Sequence, residues 1–257
     1  MRRIGTVHLN VKDLKKQLEF YQSTLGMQQL DEQGNAVTLG AAGLPLVTLH
    51  HTPNAQRTRG AGLYHFAVLL PSRADLGQFI QHIAEKRIPV QGASDHHVSE
   101  ALYMADPEGN GIEIYRDRPE AEWGKNGQIE MTTARMDVEG VLQAAKAEPF
   151  KLLPEGTIMG HIHLHASNVP EAARYYLNTL QMEHIADYPG AQFMSYDHYH
   201  HHVAVNSWNG QGVPAHPEGL GLRSYELFTD VLPEGTVTDP SGIVLNIKPL
   251  QVAVAAP

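Results

Sequence analysis

Met159-Gly160-His161-Ile162-His163-Leu164 restates, 155 residues further along the chain, Ile4-Gly5-Thr6-Val7-His8-Leu9. Leu14, Leu18, Tyr21 and Leu25 follow the earlier stretch, and Val169, Ala173, Tyr176 and Leu180 follow the later one. Apolar residues recurring at intervals of four, three and four lay one stripe along a helix. Asp13 and Asn168 stand where a helix N-cap is wanted, and Pro170 suits a first helical turn. Each copy is therefore expected to be a strand leading into a helix that runs out at Leu25-Gly26-Met27 or Leu180-Gln181-Met182. Short strands should follow, at 36–39 and 46–49 in one copy and at 192–196 and 202–207 in the other.

Two further units share this order. Residues 63–70 alternate, with Phe66, Val68 and Leu70 on one face and His65 and Ala67 on the other. Leu76, Phe79, Ile80 and Ile83 then form a helical stripe. A strand at 100–104, the turn Asp106-Pro107-Glu108-Gly109-Asn110-Gly111 and a last strand at 112–115 complete the second unit. Asp106-Pro107 reads as a turn initiator, not a catalytic pair. A fourth unit begins near Gly221 and is expected to be truncated. About ten residues separate Phe228 from Asp239-Pro240-Ser241-Gly242, too few for a helix and a hairpin. The expected organisation is an N-terminal module over 1–117 (units one and two), a connector over 118–157 with one helix at 138–147, and a shortened C-terminal module over 158–257 (units three and four). Tandem βαβββ units with curled mixed sheets make this an α+β fold.

Composition narrows the function. Hydrophobic residues at 42% and charged ones at 18% describe a folded chain. A net charge of -9 with 19 Lys plus Arg, and no basic run interleaved with aromatics, argues against a nucleic-acid partner. No apolar stretch approaches the roughly 20 residues that a membrane helix needs. With no targeting segment evident, a cytoplasmic protein is expected. Cysteine is absent, so disulfides and thiolate ligands are excluded and any metal must be held by nitrogen and oxygen.

The histidines carry the chemistry. His161, His163 and His165 share one strand face and Ile162 and Leu164 the other. In Tyr199-His200-His201-His202-Val203-Ala204-Val205-Asn206, the same alternation sets Val203 and Val205 against His200, His202 and Asn206. Several imidazoles facing one hollow suggest a metal site with acid/base support; the plainer reading is polar residues lining a wet groove. The run Asp95-His96-His97 reads as a solvated loop, with a contact at the edge of the cup as the alternative, and Met27 and Met182 as core filler.

The paired βαβββ units, the phrase GLYHFAVLLP and the turn DPEGNGIEIY resemble the vicinal oxygen chelate superfamily of glyoxalases, bleomycin-resistance proteins and extradiol dioxygenases. GHIHLHASNV and YHHHVAVNSW are most similar to bacterial catechol 2,3-dioxygenase-like proteins. In that family a unit can donate a metal ligand from its first strand and another from its last. The first-strand slots here are Thr6, His65, His161 and Ser224, and the last-strand carboxylate slots are Glu113 and Asn246. The second-module triad of extradiol dioxygenases is broken by Ser224 and Asn246. The resemblance therefore implies His65, Glu113 and His161 as ligands of Fe(II), with Mn(II) or another divalent metal as substitute, brought together by pairing of units two and three or of units from two subunits. It also implies a small aromatic diol and O₂ as partners and His202 as proton shuttle, with His201 as the register alternative. Tyr225 and Asn246 would orient substrate, Trp208 and Phe193 would line a ring pocket, and a homo-oligomer is compatible. Rival readings are a metal-free binder of aromatic or drug-like ligands and a glyoxalase-like lyase or isomerase.

Overall fold

In the computed structural model, which describes residues 1–125 and 128–250, both copies of the leading repeat form a strand and a capped helix. The first unit is β1 (Arg3–Val11), α1 (Leu14–Glu19), β2 (Gln28–Gln33), β3 (Ala36–Ala41) and β4 (Leu44–His51). The second is β5 (Gly62–Leu69), α2 (Arg73–Glu85), β6 (Gly92–Asp95), β7 (Ser99–Ala105) and β8 (Gly111–Asp117). The connector carries β9 (Gly124–Lys125), β10 (Gln128–Ile129), β11 (Ala134–Arg135) and α3 (Val138–Gln143). The third unit is β12 (Ile158–His165), α4 (Val169–Arg174), β13 (Glu183–Tyr188), β14 (Ala191–Ser195) and β15 (Val203–Asn206); β16 (Gly221–Phe228), β17 (Gly235–Thr238) and β18 (Val244–Lys248) follow.

The caps are those the residue types favour. The Asp13 side chain accepts from the Lys16 amide, Asn168 from the Glu171 amide and Ser72 from the Asp75 amide. Both α1 and α4 widen into a π turn, at Phe20–Thr24 and Tyr175–Thr179, so the repeat extends to backbone detail. α3 ends at Gln143, four residues short of the expected 147. Strands β2 and β13 escape the hydrophobic pattern. They lie at the outer edges of their sheets and are exposed or half-buried along their length, so no apolar face marks them.

Two mixed sheets result, ordered β17-β18-β16-β1-β4-β3-β2 and β11-β6-β7-β8-β5-β12-β15-β14-β13. β1 pairs antiparallel with β16, and β5 antiparallel with β12. Unit one thus shares a sheet with unit four, and unit two with unit three, across the division at residue 117. Helix-to-turn contacts run the other way: the Tyr21 hydroxyl donates to Asp106 and that of Tyr176 to Asp239, 3.2 and 3.1 Å. Each aspartate also accepts two amides of its own turn, so both serve as turn staples. One apolar cluster runs through both sheets, with Leu9, Phe66, Phe79, Ile162 and Leu227 all fully buried. The fold is α+β with curled mixed sheets, as the repeat implies. Among the described residues no helix is long and apolar enough to cross a membrane.

Candidate metal centre and its cavity

Ala67 stands at the middle of the second sheet, with Glu113 opposite it on β8 and His161 opposite it on β12. Only a methyl group separates the two longer side chains, so they lean together across it. His65, two residues earlier, lies on the same face and completes the group. Gly111 is the neighbour of His65 on β8; a β-carbon there would collide with the Tyr64 carbonyl oxygen. One donor atom from each of His65, Glu113 and His161 falls within 4.8 Å of the others, and all three residues are buried. The pairing of β5 with β8 and β12 thus brings these three together within one chain.

Glu113 Oε2 is 3.0 Å from His65 Nε2 and 3.1 Å from His161 Nε2. The His161 contact is a hydrogen bond. His65 Nε2 is not aligned to bond that oxygen, and it and His163 Nε2 are buried without a hydrogen-bond partner in the protein. A buried polar atom left unpaired costs about 1–3 kcal/mol, so this is a costly arrangement unless a ligand is shared. Burial is the largest influence on Glu113 and opposes its ionisation. His161 and His65 outweigh it and hold the carboxyl well below the usual carboxylate range. His161 is pushed down to about 4 by burial, with the Glu113 charge opposing the shift. At neutral pH a carboxylate faces a neutral imidazole, and those are the donor states a divalent cation requires. The chemistry of the set therefore fits a metal.

A cavity of about 410 Å³ opens beside this cluster. His65, Glu113, His163 and His201 reach it, and Tyr64, Phe193 and Trp208 form an aromatic wall. Phe193 stands edge-on to both His163 and His201, with centroids 5.7 and 5.1 Å apart, and Tyr64 edge-on to Trp208 at 5.2 Å. The connector supplies another side: β11 pairs with β6, and Met131, Thr132 and Thr133 line the space. His96 fastens it, its Nδ1 2.7 Å from the Thr132 carbonyl oxygen and its Nε2 2.6 Å from the Tyr103 hydroxyl. His96 is thus a lining residue and not part of a solvated loop. Burial, then the Glu113 charge, raises the Tyr103 phenol well above its ordinary value, so it is a proton donor here. Tyr103 and the connector segment are members of the site that the sequence did not suggest. Their only signal was the position of Tyr103 opposite Glu113 on the neighbouring strand.

Three expected residues lie elsewhere. His202 does not line the cavity: its Nδ1 accepts from the Tyr196 amide and lies 2.8 Å from Ser195 Oγ. His201 takes the place expected for it, its ring centroid 4.0 Å from that of His161. β15 begins only at Val203, so His200, His201 and His202 lie before the strand, where the alternation counted back from Val203 does not hold. Tyr225 is fully buried in the first sheet, its hydroxyl 3.1 Å from that of Tyr176. Asn246 is also in that sheet, donating to Ser224 Oγ. Phe193 and Trp208 line the cavity as expected.

The chain is similar to known proteins in sequence and in shape. The family model described as Glyoxalase/Bleomycin resistance protein/Dioxygenase superfamily matches residues 3–114. A catechol-2,3-dioxygenase of Bacillus subtilis (strain 168) is 40% identical over 238 residues, 90% of this chain and 82% of that protein. Glyoxalase I from Zea mays superposes with a TM-score of 0.58 at 13% identity, covering 96% of this chain and 92% of its own. The cppA protein from Streptococcus pneumoniae TIGR4 does so with a TM-score of 0.61 at 14% identity, covering 96% and 97%. At such identities the structures speak for the fold alone, whereas the sequence match covers most of both proteins. On that match this chain belongs to the glyoxalase/bleomycin resistance protein/dioxygenase superfamily.

Proposed function

We propose that this protein is an extradiol dioxygenase that opens a catecholic ring beside its diol, using Fe(II) held by His65, Glu113 and His161. The observation that carries the reading is the convergence of two imidazoles and one carboxylate, with His65 Nε2 lacking a partner, beside an aromatic-walled cavity. The 40% identity to a catechol-2,3-dioxygenase supports it. His65, Glu113 and His161 would hold the ion, and Fe(II) bound there would supply the redox and Lewis-acid chemistry that oxygen-dependent opening of a diol ring needs. Mn(II) or another divalent ion would fit the same donors.

The other residues act on the substrate. Tyr64, Phe193 and Trp208 offer faces and edges against which a flat ring packs, and the connector at Met131–Thr133 keeps water from that side. His201 is the proton carrier. The His200 Nε2 lies 2.8 Å from Asp117, and its Nδ1 2.8 Å from the Nδ1 of His201. With His200 Nε2 donating to Asp117 and its Nδ1 accepting, His201 donates from Nδ1 and keeps Nε2 as a base for a diol proton. Burial, then His161, holds the His201 imidazole well below its ordinary pKa, so it is neutral at neutral pH.

The test is reconstitution with Fe(II) without oxygen, followed by metal analysis and measurement of O₂ uptake with catechol. One ion per chain and uptake matched to a ring-opened product are expected, and Glu113→Gln should lose more than about a hundredfold in turnover and its tight ion. Ion retention without uptake on any catechol would favour a lyase or isomerase; failure to retain an ion would favour a binding protein.

A further inference from the structure

Among the described residues, the side chains that line the cavity include carboxylates and no basic partner for an anion. Glu113 and Asp187 are its acidic lining residues, and among the described residues that line it there is no lysine or arginine. Arg135, two residues past Thr133, is exposed and outside the lining. Asp187 comes from β13, where Gln192 donates to its carboxylate at 2.8 Å and His184 Nε2 lies 3.2 Å away. A ring carboxylate entering here would shed its water and meet the exposed Asp187 carboxylate at the rim with no lysine or arginine in the described lining to pair with, while the charge of Glu113 would be taken up by the ion it holds. An apolar substituent would meet Val98, Ile112, Met131 and the aromatic wall instead. Size points the same way. A cavity of roughly 150 Å³ accommodates benzene, and this one has about 410 Å³.

We infer that the cavity selects catechols bearing an uncharged alkyl or aryl substituent and rejects those bearing a carboxylate, with Asp187 as a specificity-determining residue at its edge. This rests on reading the cavity as a catechol site. It goes beyond that reading in naming the substituent, and it makes the site unsuited to ring acids.

The test compares 4-methylcatechol with 3,4-dihydroxybenzoate, which differ by a methyl group against a carboxylate. Binding is measured by calorimetry on the full chain loaded with Zn(II), which is redox-inert, in the absence of oxygen. The methyl compound should bind at least about tenfold more tightly, Asp187→Lys should narrow that ratio through tighter binding of the acid, and 4-butylcatechol should bind at least as well as catechol. A ratio below tenfold or reversed overturns the charge selection. A ratio unchanged in Asp187→Lys overturns the role of Asp187, and weaker binding of 4-butylcatechol overturns the size argument. Because no oxygen chemistry is involved, absence of ring cleavage in the Fe(II) assay would sink the dioxygenase reading and leave these affinities standing.

Discussion

His201 and His202 are chemically identical neighbours with opposite surroundings. One borders Phe193 and the cavity; the other is locked to Ser195 and the Tyr196 amide. His201→Asn should lower turnover by about 10²–10⁴, the usual worth of a positioned acid/base group. His202→Asn should leave turnover nearly unchanged and reduce stability by about 1–3 kcal/mol, the cost of stranding buried polar partners. Steady-state kinetics and thermal melts separate the two, and an equal loss of turnover in both variants would defeat the assignment. The choice between them was not legible in the chain, because alternation assumes an extended strand and β15 begins only after them, at Val203. His65, Glu113 and His161 were legible, since each lies inside a strand and falls on the face that its alternation assigns.

At the scale of elements, β5 is the hinge of the site, because its Ala67 sets how closely β8 and β12 bring Glu113 and His161. The residue is fully buried, so Ala67→Val adds bulk with nowhere to go. Overpacking of this kind costs about 1–3 kcal/mol. The variant keeps all three ligands, yet it should melt lower and lose its ion faster on dialysis against a chelator, because the carboxylate and imidazole are pushed apart. Retention equal to the parent would show that the spacing is set elsewhere. The connector is the element that the sequence conceals most. Its strands are two residues long, too short to carry a period, and they become a wall only by pairing with β6 and fastening through His96.

Across the whole molecule, buried imidazoles make stability depend on pH. Burial, then the neighbouring His200 and His161, pushes His202 down from 6.5 to about 3. Burial, then His8 and Arg223, brings His50 down from 6.5 to about 4. Above pH 6.5 both are neutral whether the chain is folded or not, and their contribution is fully present. As pH falls below 6.5 the unfolded chain takes up protons that the folded one refuses, so stability drops through the window from 6.5 to about 4 and further towards 3. The melting temperature of metal-free protein should therefore fall between pH 7 and pH 4, and less steeply in His202→Asn; a flat profile would contradict the shifts. The repeat, the helix caps, the core faces and the membership of the His/Glu/His set were all determined by the sequence itself, because residue spacing and side-chain type act over a few positions. Which units share a sheet was decided only in the folded chain: β5 finds β12, and β1 finds β16, through hydrogen bonds between strands far apart in sequence. No local period records that choice, so the proximity of His161 to His65 and Glu113 exists only once the second sheet has closed.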